Sequence, residues 1–255
     1  MSLIAEQYGH GPSLVFLHGW GLNSGVWQRL ATRLAKAYRV TLIDLPGFGV
    51  NHDRFPPHYD LDELTDMVAG VCPDDAAIVG WSLGGLVAQK LALSYPQRAG
   101  RLICVASSPR FVAEADWPGI APNVLEAFAS QLHSDIDATI ARFLAIQAMG
   151  SRGAKSDIQA IKLLMGERPA PAAQALSGGL RLLQRTDLRQ SVANIACPTL
   201  RLYGRNDSLV PVAVMEKVER LQPSSISMLF PGASHAPFIS HEEEFARALT
   251  DYLQR

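Results

Sequence analysis

Short, mostly apolar, β-rich runs alternate along the chain with longer stretches whose apolar residues recur every three or four positions. Leu14-Val15-Phe16-Leu17 is the first run and stops at His18-Gly19. Residues 25–38 follow, with Trp27, Leu30, Leu34 and Tyr38 at helical spacing. Val40-Thr41-Leu42-Ile43 predicts the next strand, stopped by Asp44-Leu45-Pro46-Gly47, and residues 60–71 the next helix. Ile78-Val79-Gly80 ends an apolar run that begins at Ala76, and residues 83–95 form a third helical pattern. Later runs are Leu102-Ile103-Cys104-Val105-Ala106, Thr199-Leu200-Arg201-Leu202-Tyr203 and Ser227-Met228-Leu229-Phe230, and residues 242–253 close the chain as a helix. Strands apolar on both faces must be covered on both, so the pattern predicts a parallel sheet between layers of helices.

The alternation breaks between residues 107 and 190. Helical patterns run over 124–132 and 136–149, and Arg168-Pro169-Ala170-Pro171 interrupts before another over 172–183. The expected organisation is one structural unit. Residues 1–106 and 191–255 form an α/β core, and 107–190 form a helical lid over the carboxyl ends of the strands, where open α/β sheets bind ligands.

Composition narrows the function classes. With 255 residues, 48% hydrophobic and 18% charged, the chain can bury one sizeable core. A net charge of −1 offers no bulk attraction for nucleic acid. Met1-Ser2-Leu3-Ile4-Ala5-Glu6 carries no basic start or long apolar stretch, which argues against a signal peptide, and no run reaches the length of a membrane span. Cys72, Cys104 and Cys197 are odd in number and far apart, so neither a disulfide framework nor a zinc pattern follows. They read as buried or incidental thiols in a reducing cytoplasm. Neither a phosphate loop nor a dinucleotide fingerprint is present, and potential metal ligands do not cluster, so neither cofactor nor metal is expected.

The most informative residues are Gly80-Trp81-Ser82-Leu83-Gly84, a G-x-S-x-G match between a strand and a helix. A Gly/Ser-rich turn can match so short a pattern, but this context is that of a nucleophile elbow. The turn would hold the Ser82 hydroxyl at its tip, above a helix N-terminus whose free N–H groups suit a developing oxyanion. Serine needs a base, and the base needs an orienting acid. In α/β-hydrolases the order along the chain is serine, acid, histidine. Asp207 follows a late strand and precedes a helix expected near Pro211; Asp187 competes but lacks a preceding strand. His235 follows the strand ending at Phe230, whereas His241 opens the last helix and His133 lies in the insertion. His10, His18, His52 and His58 precede Ser82, in the wrong order. The oxyanion donors expected by position are the backbone N–H groups of Leu83 and of Trp20, in the His18-Gly19-Trp20-Gly21 turn.

Along its whole length the chain resembles the α/β-hydrolase superfamily and, within it, the pimeloyl-[acyl-carrier protein] methyl ester esterases of biotin synthesis. The elbow and the His18-Gly19 turn are generic to the superfamily; Trp117-Pro118-Gly119-Ile120 and Arg142-Phe143-Leu144-Ala145 lie in the insertion, where members diverge most, and discriminate better. The resemblance implies hydrolysis of a methyl ester at the far end of a pimeloyl chain, giving methanol and pimeloyl-carrier protein. It implies that Trp20, Leu83, Phe143 and Gln147 line the pocket. It implies docking of an acidic acyl-carrier protein on basic residues of the insertion, here Arg142, Arg152, Lys155 and Lys162, with Ala138 and Gln159 standing where more positive charge is expected. The expected enzyme is a cytoplasmic monomer without nucleic-acid or membrane partners. A general short- or medium-chain carboxylesterase, an acyltransferase and a C–C bond hydrolase stay open on the same fold. A silent binding protein would lack a triad member, and this chain lacks none. A haloalkane dehalogenase carries Asp at the nucleophile position.

Overall fold

The computed structural model describes residues 2–166 and 168–255. Among the described residues, one sheet contains β1 (Ala5–Tyr8), β2 (Ser13–Leu17), β3 (Arg39–Ile43), β4 (Ala76–Trp81), β5 (Ala99–Val105), β6 (Thr199–Gly204) and β7 (Ile226–Phe230). The spatial order is β1-β3-β2-β4-β5-β6-β7. Every neighbouring pair is parallel except β1 with β3, where Ala5 faces Ile43 in antiparallel register. The helices are α1 (Gln28–Leu34), α2 (Leu61–Ala69), α3 (Leu83–Ser94), α4 (Pro122–Ser134), α5 (Ile136–Ala148), α6 (Ala154–Met165), α7 (Ala173–Arg185), α8 (Ala213–Leu221), α9 (Pro237–Ser240) and α10 (Glu242–Leu253).

Successive side chains of a strand point to opposite faces, and both faces of this sheet are apolar. On one face Val15, Ile78 and Leu102 pack with Leu64 and Val68 of α2 and Leu86 and Leu91 of α3. On the other, Phe16, Val79 and Ile103 pack with Leu30 of α1 and Phe245 and Leu249 of α10. All six residues of β4 are buried, as a central strand requires. After β2 the chain moves to one side of the sheet and after β4 to the other, since β2 and β4 are neighbours with Leu17 opposite Gly80. A crevice therefore opens beyond the carboxyl ends of these two strands.

Three elements differ from the expectation. The helix expected over 25–38 begins as a 3₁₀ turn, Ser24–Trp27, in which Asn23 Oδ1 accepts the Gly25 N–H at 3.0 Å. That turn swings Trp27 against Phe16 and Phe238, at centroid distances of 5.1 and 4.0 Å, and regular helix begins only at Gln28. Strand β1 was not legible as a strand because two of its four residues, Glu6 and Gln7, are polar, as suits an edge. Helix α6 was missed because Ile161 is its one fully buried residue, too few to leave a stripe. Between β5 and β6 the described chain forms α4–α7 and two isolated bridges, Val112 with Ile120 and Glu114 with Trp117. No helix among the described residues is long and apolar enough to cross a membrane.

Candidate active site

Ser82 sits where β4 turns into α3, at φ +54° and ψ −116°, a region that L-residues rarely occupy. The flanking glycines make the turn possible. A Cβ on Gly80 would strike the Gly84 carbonyl and approach Gly85 Cα to 2.7 Å, and one on Gly84 would lie 2.7 Å from the Leu17 carbonyl. Real side chains do not tolerate such contacts, so helix, serine and sheet approach this closely only with glycine at both positions. Ser107 Oγ and the Gly85 N–H both donate to the Ser82 carbonyl at 2.9 Å and hold the turn from behind.

Asp207 and His235 come together from the loops after β6 and β7. The His235 Nδ1–Asp207 Oδ2 distance is 2.7 Å, and both side chains are buried. Asp207 Oδ1 accepts the Leu209 and Val210 N–H groups at 2.8 and 2.9 Å, which orients the carboxylate. A carboxylate only accepts, so the imidazole proton sits on Nδ1 and Nε2 carries the lone pair. That Nε2 is buried and has no hydrogen-bond partner among the described residues. Trp81, beside the serine, donates its indole N–H to the His235 carbonyl at 2.8 Å, tying the histidine loop to the elbow strand. The His235 N–H donates to the Gln147 carbonyl at 3.1 Å, tying the same loop to α5.

The competing residues lie elsewhere. Asp187 is exposed, and Arg189 beside it, 2.6 Å away, holds its carboxyl below the usual carboxylate range. His133 is exposed on α4, and His241 Nδ1 contacts Ser240 Oγ at 2.9 Å. His18 is fully buried behind the turn that carries Trp20, with Nδ1 donating to the Gly19 carbonyl at 2.8 Å and Nε2 accepting the Leu45 N–H at 2.9 Å. Burial pushes its pKa below the ordinary imidazole range, against the pull of Asp44. The unfolded chain thus takes up a proton near pH 6.5 that the folded one refuses until lower pH. Stability from this group is full above about pH 6.5 and falls below it, at up to about 1.4 kcal/mol per pH unit. Thermal unfolding between pH 7 and 5 should show this loss, with a shallower slope in His18→Gln; an unchanged slope would remove His18 as its source.

Leu83 is the first residue of α3, and among the described residues neither its backbone N–H nor that of Trp20 donates a hydrogen bond. The Trp20 indole donates to the Leu176 carbonyl at 2.8 Å and lies 4.7 Å, centroid to centroid, from Phe143. Gly179 of α7 leaves room for it: a Cβ there would lie 2.6 Å from the indole. Phe143 and Gln147 stand one turn apart on the buried face of α5. Neither Nε2 nor Oε1 of Gln147 has a hydrogen-bond partner among the described residues, a costly state for a buried amide and one that a polar ligand atom would relieve.

The model of the Alpha/beta hydrolase family matches residues 14–248. The chain belongs to the alpha/beta hydrolase family. Relatives of this hydrolase include the pimeloyl-[acyl-carrier protein] methyl ester esterase of Aeromonas hydrophila, 49% identical over 99% of this chain and 100% of that protein. The protein of the same name from Photobacterium profundum is 48% identical over 99% of both. Among solved structures, an esterase from Exiguobacterium antarcticum superposes with a TM-score of 0.89 at 22% identity over 99% of this chain and 96% of that one, which shows the shared fold.

In this hydrolase Arg142, Arg152 and Lys155 are exposed and form no ion pair among the described residues. The Arg142 guanidinium lies over the Phe128 ring at 5.1 Å and donates to Gln131 Oε1 at 3.1 Å. Lys162 is exposed on α6. Sequence reasoning missed the Trp81 indole and the Ser107 hydroxyl, whose contacts span 154 and 25 residues and leave no local signal. Among the described residues no group of three or more His, Cys, Asp or Glu side chains could hold a metal ion.

Proposed function

We propose that this hydrolase is a serine carboxylesterase that cleaves the methyl ester of a pimeloyl chain carried on acyl-carrier protein. The observation that carries the chemistry is the buried Asp207–His235 pair, whose acceptor nitrogen is left without a partner. The substrate is supported by relatives about half identical over nearly the whole chain that bear that activity in their names.

His235 Nε2 takes the Ser82 proton as Oγ attacks the ester carbonyl. The negative oxygen of the tetrahedral intermediate accepts hydrogen bonds from the Leu83 and Trp20 N–H groups. His235 then protonates the departing methoxide, giving methanol and an acyl-serine. Water, deprotonated by His235, attacks the acyl-serine, and the second collapse frees the carboxylate and returns the proton to Ser82. Asp207 keeps the imidazole in the productive tautomer and stabilises its charged form. Residues 107–190 act as a lid whose Phe143 and Gln147 border the acyl chain. Each buried methylene of that chain contributes about 0.8 kcal/mol.

The acidic carrier docks on the outer face of the lid through Arg142, Arg152 and Lys155. At low salt the pair Arg142→Ala and Lys155→Ala should raise KM for the carrier-linked ester roughly three- to tenfold and leave a small free ester unaffected. Unchanged turnover of the carrier-linked ester would remove these residues from docking.

The reading is tested by methanol release from pimeloyl-carrier protein methyl ester, alongside free methyl and p-nitrophenyl esters of graded length. The expected result is preferred turnover of the carrier-linked pimeloyl ester. Cleavage of free esters alone would leave a general carboxylesterase.

A further inference from the structure

We propose that Arg168 is a positioning residue that ties the lid to the geometry of the oxyanion turn. The inference rests on the esterase reading, with the Trp20 N–H as an oxyanion donor, and adds a residue from the connection between α6 and α7.

Asp44, at the end of β3, is fully buried, and burying a lone carboxylate is costly. Arg168 compensates it. Its Nη1 lies 2.9 Å from Asp44 Oδ2, and its Nη2 lies 2.8 Å from Glu6 Oε2 on β1. Burial works against the guanidinium charge, and Asp44 and Glu6 more than offset it, leaving the pKa above its ordinary value.

The Asp44 carboxylate is also the hub of the loops around the site. Oδ1 accepts the Ser24 N–H, Oδ2 accepts the Val50 N–H at 2.8 Å, and His18 Nε2 lies 4.0 Å from Oδ1. His18 and Ser24 bracket the turn that carries Trp20. The chain on both sides of Arg168 grips the same loops. Asn23 Nδ2 donates to the Met165 carbonyl at 3.2 Å, the Ala172 N–H donates to the Gly47 carbonyl at 2.9 Å, and the Trp20 indole donates to the Leu176 carbonyl. Among these contacts only the Arg168 pair involves full charges. Withdrawing Arg168 would strand a buried carboxylate at the point that fixes the Ser24 N–H, so a lid displaced here loosens the turn that aims the Trp20 N–H. The α6–α7 connection and the oxyanion turn are thereby held by one shared ion pair.

The test compares the parent with Arg168→Gln, Arg168→Lys and Ser82→Ala, using p-nitrophenyl butyrate and a trifluoromethyl ketone that forms an oxyanion on the nucleophile. Removing an oxyanion donor outright costs about 10²–10³ in kcat, and a loosened one less, so Arg168→Gln should lose roughly 10–50-fold in kcat with KM within twofold. The inhibition constant for the ketone should rise by the factor by which kcat/KM falls. Arg168→Lys, a point charge that reaches one carboxylate and not both, should fall between parent and Gln. Thermal unfolding identifies folded variants; where Arg168→Gln does not fold, Arg168→Lys decides, with an expected loss of roughly 3–10-fold in kcat. A kcat within twofold of the parent in the deciding variant, or a loss confined to KM, overturns the proposal. Retained hydrolysis in Ser82→Ala would instead overturn the esterase reading on which it rests.

Discussion

Ser82→Ala should lose at least about 10³-fold in kcat for every ester, and up to about 10⁶-fold if residual hydrolysis is as low as in well-studied serine hydrolases. The physical reason is that the substitution deletes the only atom that bonds to the acyl group. The backbone reason is equally specific. Ser82 occupies φ +54°, so alanine inherits the same strained turn and the elbow glycines still fit. Unfolding temperature should therefore move by only a few degrees while activity collapses. Binding of the carrier-linked ester should survive, because the pocket and the lid are untouched. Substrate affinity measured on this variant by calorimetry separates chemistry from recognition. Full activity in a pure preparation would sink the mechanism.

His235→Ala should be nearly as damaging as Ser82→Ala, because nucleophile and base act as one unit and the second loss adds little to the first. Combining the two substitutions should cost little more than either alone. Asp207→Asn should be milder, on the order of 10²–10⁴-fold in kcat, because its defect is the tautomer. An amide N–H facing Nδ1 would move the imidazole proton to Nε2 and leave the serine proton without an acceptor. The Leu209 and Val210 N–H groups that now orient the carboxylate can still bond to the amide oxygen, so the fold should hold. Steady-state kinetics of the single and double variants check this. Additive losses, with the double variant far below either single one, would show that the two residues do not share one step.

Much of this architecture is legible in the chain because it is written locally. The largely apolar runs of β2–β5 mark a sheet covered on both faces, and the glycines around Ser82 mark a turn that no larger residue could make. The pairing of Asp207 with His235 could be anticipated from chain order alone, since both follow late strands. What separates Asp207 from Asp187 is the partner each one meets: Asp207 pairs with His235, 28 residues away, whereas Arg189, two residues along, holds the Asp187 carboxylate at the surface. Edge strand β1 and helix α6 escaped detection because neither buries enough apolar side chain to leave a period. Arg168 was equally invisible, reading as part of a proline-rich break, because its meaning depends on Asp44 and Glu6, 124 and 162 residues away. Patterns report which face of an element is buried; they do not report which distant charge a buried carboxylate requires.

The most direct test of the account is the site of covalent modification by a fluorophosphonate, which captures an activated serine. The protein is inactivated with the reagent, digested, and mapped by mass spectrometry against Ser82→Ala. The account requires one adduct per chain, on Ser82, appearing in step with the loss of esterase activity and absent from the variant. An adduct on Ser107 or Ser234, both buried serines close to the site's loops, or inactivation with Ser82 unmodified, would contradict it.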